Sequence, residues 1–239
     1  MTIEAFIQAL LDRGIELTSK QINQFKRYYE LLIEWNEKIN LTAITQEEEV
    51  YLKHFYDSLM ALWLSPIEDK PLTLCDIGAG AGFPSIPMKI VYPQLDITIV
   101  DSLNKRIQFL NVLIDELQLD NVTAIHARAE EVGQDKRYRE HFDIVTARAV
   151  AALNVLGEYC LPLVKKGGYF VALKGQRAQE EIEEATKAIQ VLGAKLEEVK
   201  TENLPIEESE RTIITIRKTL NTPRKYPRNA GKPNKQPIK

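Results

Sequence analysis

One nine-residue stretch decides the fold: Asp76-Ile77-Gly78-Ala79-Gly80-Ala81-Gly82-Phe83-Pro84. It follows an apolar run that is typical of a buried strand, and Pro84 suits the first turn of a helix. Glycines between a strand and a helix let the backbone turn tightly and approach a ligand closely. The fingerprint of a dinucleotide-binding loop needs a third glycine where Phe83 stands. The spacing of Gly78, Gly80 and Gly82 therefore favours a bulky, uncharged ligand end over a pyrophosphate.

Strand-like and helix-like patterns alternate on the C-terminal side of this loop. Apolar, β-rich runs cover residues 72–77, 95–101, 122–126, 142–147, 168–173, 195–201 and 212–218, and helical patterns cover 84–91, 104–117, 129–132, 152–161 and 178–192. Such alternation predicts parallel βαβ units with right-handed crossovers. The last two strands are too close in sequence for a helical crossover, so they should pair antiparallel. We therefore predict a doubly wound α/β fold with a mostly parallel sheet.

The N-terminal side has a helical pattern instead. Amphipathic helices are predicted over residues 2–13, 18–38 and 46–64, and Thr18 with Gln21 fits a capping box. Pro66 and Pro71 bracket a polar linker. We divide the chain into an N-terminal helical extension (1–70), a ligand-binding domain (71–218) and a basic, proline-rich tail (219–239).

The charge of the chain is unevenly distributed. The net charge is −3, from 31 basic and 34 acidic residues, but residues 218–239 hold seven bases and no acid. The remaining 24 bases and 34 acids give the body a charge of −10. A basic tail on an acidic body predicts a polyanionic partner, and its prolines predict an extended segment that lies along a groove. The alternative is a solvated terminus that serves only solubility.

Several residues are predicted to follow successive strands at one sheet edge. Asp101 ends the second strand, where a carboxylate accepts two hydrogen bonds from a ribose diol. Ala129 and Glu130 follow the third strand and suit an adenine edge, while Arg148 and Lys174 follow the fourth and fifth as positioning groups. Each has a plainer interpretation: a helix cap for Asp101, a solvated helix face for Glu130 and surface bases for the other two. Since open α/β sheets bind ligands at this edge, the set predicts a nucleoside-containing cofactor, and S-adenosylmethionine is favoured.

Other features bear on location and metal content. No apolar run is long enough to span a bilayer, and no basic stretch precedes the first apolar residues. Cys75 and Cys160 lie in apolar surroundings typical of buried thiols, and His54, His126 and His141 are scattered. We expect a cytoplasmic monomer without a metal site or a membrane contact.

A set of short motifs resembles one family closely. The motifs are Trp35-Asn36, Asn40-Leu41-Thr42, His54-Phe55-Tyr56-Asp57-Ser58, the glycine stretch, Val100-Asp101-Ser102, Thr146-Ala147-Arg148-Ala149-Val150 and Tyr226-Pro227-Arg228. Together they resemble the RsmG (GidB) family of bacterial small-subunit rRNA guanine-N7 methyltransferases, over nearly the whole chain.

The resemblance implies a class I (Rossmann-like) methyltransferase domain with a helical N-terminal extension. The implied substrate is a guanine of 16S rRNA near the decoding region, in naked RNA, a small ribosomal subunit or its precursor. The implied S-adenosylmethionine contacts are Gly78, Phe83, Ala129, Glu130 and Arg148. Gly80 and Gly82 are added here from the loop, and Asp101 from the ribose argument. No general base is evident at a strand end, and guanine N7, which carries a lone pair and no proton, needs none.

Two questions stay open at this point. His54, Asp57 and Ser58 lie within about one helical turn, where they either hold RNA and shape a pocket or tie the N-terminal helices to the core. Asn36 and Asn40 have the same two interpretations.

Two alternative functions remain. They are a non-catalytic, ribosome-associated RNA-binding module that retains a nucleoside pocket, and a small-molecule methyltransferase. The intact glycine loop argues against the first, and the basic tail against the second.

Overall fold

A seven-stranded β-sheet forms the centre of the computed structural model, which describes residues 1–239. The strands are β1 (Thr73–Ile77), β2 (Asp96–Asp101), β3 (Val122–His126), β4 (Phe142–Arg148), β5 (Val164–Lys174), β6 (Ala194–Asn203) and β7 (Glu210–Lys218). Their order is β3-β2-β1-β4-β5-β7-β6. Neighbours among β1 to β5 pair in parallel, whereas β7 is antiparallel to both β5 and β6. The predicted fold, including the antiparallel final pair, is therefore confirmed.

Helices cover both faces of this sheet. They are α1 (Ile3–Leu11), α2 (Ser19–Ile39), α3 (Glu47–Val50), α4 (Asp57–Leu64), α5 (Ser85–Val91), α6 (Asn104–Glu116), α7 (Ala129–Gln134), α8 (Leu153–Cys160), α9 (Ala178–Val191) and α10 (Lys232–Lys235). The capping box of α2 is confirmed, because the Thr18 hydroxyl accepts from the Gln21 amide and the Gln21 side chain accepts from the Thr18 amide. The single helix predicted over 46–64 is interrupted by a π-helical turn, Tyr51–Tyr56, between α3 and α4. None of the helices is both long enough and apolar enough to cross a membrane.

The N-terminal helices share a hydrophobic core with one face of the sheet. Phe6 packs edge-on against Phe25 and Tyr51, with ring centroids 5.0 and 5.2 Å apart. The same core continues to Ile97 and Ile99 of β2. Apolar surface buried between elements is the main stabilising contribution in folding. The N-terminal helical extension therefore has no hydrophobic core of its own, and the boundary at residue 70 is visible only in the sequence.

The C-terminal tail folds back onto the domain. The ammonium of Lys218 is buried and donates to the carbonyls of Leu161 (2.7 Å) and Val164 (3.0 Å). Burial lowers the pKa of Lys218 to about 8. Tyr226 and Pro233 are also buried in the packed tail. The expectation of an extended tail is therefore wrong, because its polar and apolar groups find partners on the body that are distant in sequence.

Candidate functional site

The glycine loop between β1 and α5 makes the tight turn that its sequence predicts. Gly78, Gly80 and Gly82 all have positive φ, of 70°, 60° and 99°. A Cβ at Gly78 would lie 2.7 Å from a methyl of Val150, and one at Gly82 would lie 2.6 Å from the hydroxyl of Tyr28. Side chains are therefore excluded at these two positions by conformation and by space.

Asp101 joins this loop to the end of β2. Its carboxylate accepts hydrogen bonds from the amide of Gly80 (3.1 Å) and from the amide of Leu103 (2.9 Å). Arg106 approaches the same carboxylate at 3.4 Å. The bond to Leu103 precedes α6 and does not cap it, because the N-cap is Leu103 and no side chain caps this helix. A carboxylate with about four acceptor sites still has capacity for a ligand.

A first cavity of about 380 Å³ opens at the carboxyl ends of β1 to β4. Its lining residues are Ile77, Gly78, Val100, Asp101, Ser102, Arg106, Ala127, Arg128, Ala129, Glu130, Ala149, Val150, Tyr159, Gly231 and Asn234. The cavity thus brings together four of the predicted cofactor residues, Gly78, Asp101, Ala129 and Glu130. The last two lining residues belong to the C-terminal tail.

Behind this cavity lies a carboxylate that the sequence interpretation missed. Asp76 is completely buried, and one of its oxygens accepts from the Ser85 amide at 3.1 Å. Its other oxygen has no hydrogen-bond partner, and burial raises the pKa of Asp76 to about 7. The sequence does contain a sign of this group, because Asp76 is an acid within an otherwise apolar strand. It lies one residue before Ile77, which lines the cavity. Buried polar atoms without partners are uncommon in native proteins, and this structure has six of them, on Tyr51, Ser58, Trp63, Asp76, Ser85 and Thr215.

A second network surrounds Arg148 at the end of β4. Its guanidinium donates to the Asp57 carboxylate (2.8 Å), to the Lys53 carbonyl (3.1 Å) and to Nδ1 of His54 (3.0 Å). The other oxygen of Asp57 accepts from Nε of Arg211 at 2.8 Å. His54 and Asp57 therefore tie the N-terminal helices to the sheet, as one of their two interpretations expects.

His54 is held neutral by this network. Burial, and then the positive charge of Arg148, lower its pKa to about 3. Because arginine only donates, Nδ1 accepts and the proton lies on Nε2, which donates to the Thr42 hydroxyl at 2.8 Å. Both ring nitrogens are occupied, so His54 has no free position at which to accept a proton. The Thr42 amide in turn donates to Asn36 (2.8 Å), and Asn40 ends α2 in a left-handed conformation.

A second cavity, of about 400 Å³, lies at the carboxyl ends of β4 and β5. Its lining residues are Lys53, His54, Asp57, Arg148, Ala149, Leu173, Lys174, Gly175, Glu181, Arg211 and Ile213. Four basic side chains line it, and each is paired with a carboxylate: Arg148 and Arg211 with Asp57, Lys174 with Glu181, and Lys53 with Glu49 and Glu207 outside the lining. Ala149 lines both cavities, so the two spaces meet at this residue.

Comparison with known proteins identifies the family. The family model described as rRNA small subunit methyltransferase G (GidB) matches residues 21–213. The chain belongs to the GidB family. Curated relatives named ribosomal RNA small subunit methyltransferase G include one from Lysinibacillus sphaericus, 60% identical over 100% of both chains, and one from Bacillus subtilis, 58% identical over 100% of this chain and 99% of the relative. The resemblance drawn from the motifs is confirmed.

Solved structures agree on the fold. M. jannaschii TYW2 in complex with AdoMet matches with a TM-score of 0.55 and 15% identity, over 74% of this chain and 79% of that one. A 16S rRNA (adenine(1408)-N(1))-methyltransferase variant from Catenulisporales acidiphilia matches with a TM-score of 0.52 and 14% identity, over 73% and 92%. These similarities confirm a class I methyltransferase fold.

The remaining residues expected from the GidB resemblance lie outside the first cavity. Phe83 is buried and stacks on His54 and Tyr28, with ring centroids 4.4 and 5.5 Å away. The guanidinium of Arg148 lies 4.9 Å from the Phe83 ring. Gly80 and Gly82 shape the turn without lining the cavity. Contacts of these residues with a cofactor stay predictions.

Lys174 and Arg211 complete the second cavity. The Lys174 ammonium donates to the Ala151 carbonyl (2.7 Å) and pairs with Glu181 (2.7 Å), so it fixes the segment after β4. Arg211 was missed by the sequence interpretation. It stands at the start of β7, and only an antiparallel strand brings its beginning to the edge where the parallel strands end.

Proposed function

We propose that this chain transfers a methyl group from S-adenosylmethionine to N7 of a guanine in 16S rRNA, near the decoding region of the small ribosomal subunit or its precursor. One observation carries the proposal. Two cavities share Ala149, one lined by the predicted nucleoside-binding residues and the other by four basic side chains, Lys53, Arg148, Lys174 and Arg211. A methyl donor in the first cavity and a nucleotide of a polyanion in the second would meet there.

The first cavity fits the proposed cofactor. Asp101 lines the cavity and retains acceptor capacity for a ribose diol. Asp76, which has an unpartnered oxygen, is buried one residue before the lining residue Ile77 and does not itself line the cavity. Ala129 and Glu130 line the same cavity, which supports their proposed contact with adenine. When bound, S-adenosylmethionine supplies an electrophilic methyl group on a sulfonium.

The second cavity suits a nucleophile that needs no base. Guanine N7 has an in-plane lone pair and no proton to lose. His54 has both ring nitrogens engaged, and the oxygens of Asp57 accept from Arg148 and Arg211. Lys174 is paired with Glu181. These groups are suited to hold the substrate rather than to remove a proton from it.

Catalysis would therefore come mainly from positioning. Holding two reactants in line contributes up to about 7 to 11 kcal/mol in favourable cases. Arg148 is fixed by three separate acceptors, on the side chains of His54 and Asp57 and on the Lys53 backbone, so its place in the cavity wall needs no rearrangement. We assign Arg148 and Lys174 to substrate or cofactor positioning.

A product analysis tests the proposal. Small subunits that lack the modification are incubated with the protein and S-adenosylmethionine, and their 16S rRNA is digested to nucleosides for mass spectrometry. We expect one 7-methylguanosine per subunit. Cofactor binding without methyl transfer would support a non-catalytic module, and transfer to small molecules alone would support the third alternative; either result overturns the proposal.

We also propose that the protein acts as a monomer in the cytoplasm. The cytoplasm is where the proposed ribosomal substrate is found. The elution volume of the pure protein, measured with and without cofactor, tests the monomer.

A further inference from the structure

The C-terminal tail is anchored first by Arg139. The guanidinium of this residue donates to the carbonyls of Thr222 (2.8 Å), Pro223 (3.3 Å) and Tyr226 (2.7 Å), and also to that of Gly133 (2.9 Å). Three of these four acceptors belong to the tail, so one side chain fixes the path of the chain after β7.

A buried ion pair anchors the next part. Glu158 of α8 is inaccessible to solvent, and its carboxylate accepts from the Arg228 amide (2.8 Å) and from the Arg228 guanidinium (2.6 Å). Arg228 also donates to the Gln236 carbonyl at 2.8 Å, which closes the last turn of the tail on itself. Bidentate, charge-assisted bonds of this kind define geometry as well as contributing energy.

Beyond these anchors, the tail lies against the first cavity. The Gly231 amide donates to the Glu130 carboxylate at 2.9 Å, and Glu130 is the residue predicted to read adenine. Gly231 and Asn234 both line the cavity. The Asn234 side chain is exposed, and its amide makes no hydrogen bond within the protein. An unengaged amide in a ligand-cavity wall is available to a ligand.

We propose that the tail forms the adenine-side wall of the cofactor cavity, and that Asn234 is a specificity-determining residue that hydrogen-bonds the adenine edge. A carboxamide offers one donor and one acceptor side by side, which matches the amino group and ring nitrogen of adenine. The inference rests on the proposed placement of the cofactor in this cavity. It gives the tail a role distinct from RNA binding.

Calorimetric titration of the full chain with S-adenosylhomocysteine tests the inference. Asn234→Ala should weaken binding roughly fivefold to thirtyfold, the range for one or two neutral hydrogen bonds. Lys235→Ala, in the same short helix but outside the cavity lining, is the matched control and should stay within about twofold of the parent. A chain that ends at Arg228 keeps the buried ion pair, removes the wall, and should bind at least as weakly as Asn234→Ala.

A cofactor analogue with an altered base tests whether Asn234 recognises adenine or only affects cofactor binding in general. A ligand in which the 6-amino group is replaced by oxygen should bind the parent more weakly, and Asn234→Ala should discriminate less between the two ligands. Equal discrimination by parent and variant, or an unchanged affinity in Asn234→Ala, would overturn the inference.

Asp101→Ala tests the placement of the cofactor separately from the role of Asn234. It should weaken binding about tenfold to a hundredfold if the cofactor occupies this cavity, because the bond is to a charged group. A loss in Asp101→Ala without one in Asn234→Ala overturns only the role of the tail. Unchanged affinity in both variants overturns the placement of the cofactor and the inference together, whereas a loss in Asn234→Ala alone supports the inference and removes Asp101.

Discussion

The two cavities at the sheet edge differ in their lining and in how they are built. The first depends on a glycine loop, on Asp101 and on a C-terminal tail held by polar anchors. The second is lined by basic side chains that are paired with carboxylates, and its N-terminal wall is attached through an apolar core that includes Phe6 and Phe25. Each end of the chain therefore completes one of the two cavities, the C-terminal tail through polar anchors and the N-terminal helices through apolar packing.

The kind of interaction decides how each half responds to mutation. An apolar interface loses stability in proportion to the area that a mutation exposes. A buried ion pair responds sharply to loss of one partner, because the remaining charge is left without compensation. The tail wall should therefore depend on a few individual side chains, whereas the N-terminal wall distributes its attachment over many.

The largest effect is expected at the tail anchor. Arg228→Met leaves the Glu158 carboxylate buried and unpaired, so the free energy of unfolding should fall by about 3 to 5 kcal/mol in urea denaturation. Adding Glu158→Leu should restore most of the loss. Arg27→Met, which breaks a solvent-exposed pair on the N-terminal side, should cost about 1 kcal/mol or less. Equal effects of the two single variants would show that the tail does not depend on this buried ion pair more than the N-terminal helices depend on a surface pair.

The next effect concerns the buried carboxylate behind the first cavity. The pKa of Asp76 is raised to about 7, so the folded protein binds its proton more tightly than the unfolded chain does. This group therefore lowers the free energy of unfolding as the pH rises from about 4 to about 7, by roughly 2 to 4 kcal/mol.

Asp76→Asn removes this dependence. The variant should gain stability relative to the parent as the pH rises through that window. Urea unfolding at several pH values measures the difference between the proteins. Parallel stability profiles for parent and variant would show that Asp76 does not carry the titration.

The smallest effect is expected for the exposed bases of the tail. Lys218 is buried and Arg228 is paired, which leaves Arg224, Lys225, Lys232, Lys235 and Lys239 exposed. If these five contact single-stranded RNA phosphates, changing them to glutamine should lower the log–log salt slope of RNA binding by at most about 3.5. Cofactor affinity should not change. An unaltered slope would leave the tail with its role at the first cavity alone.

The parts of the molecule that sequence predicted well depend on local or periodic signals. The capping box at Thr18 and Gln21, the alternation of strands and helices, and the glycine turn each require only neighbouring residues. The cluster of Gly78, Asp101, Ala129 and Glu130 followed from the rule that parallel strands end at one edge.

The features that sequence missed depend on contacts between distant residues. Arg211 reaches the site only because β7 runs antiparallel, so a search confined to strand ends passes over it. The tail was expected to be extended because its composition is basic and rich in proline. Its anchors, Arg139 and Glu158, lie about 70 or more residues away in sequence, and no local pattern reveals such pairs.

The most direct test of the account is the pH profile of the methyl-transfer step itself. Single-turnover transfer to small subunits is measured with protein and S-adenosylmethionine in saturating excess, between about pH 6 and 8.5. With guanine N7 as the nucleophile and no proton to remove, the rate should vary by less than about twofold, because an essential base would impose its own pKa. A clear titration of this step, abolished by one side-chain substitution in the second cavity, would contradict the account and indicate an acceptor that must lose a proton.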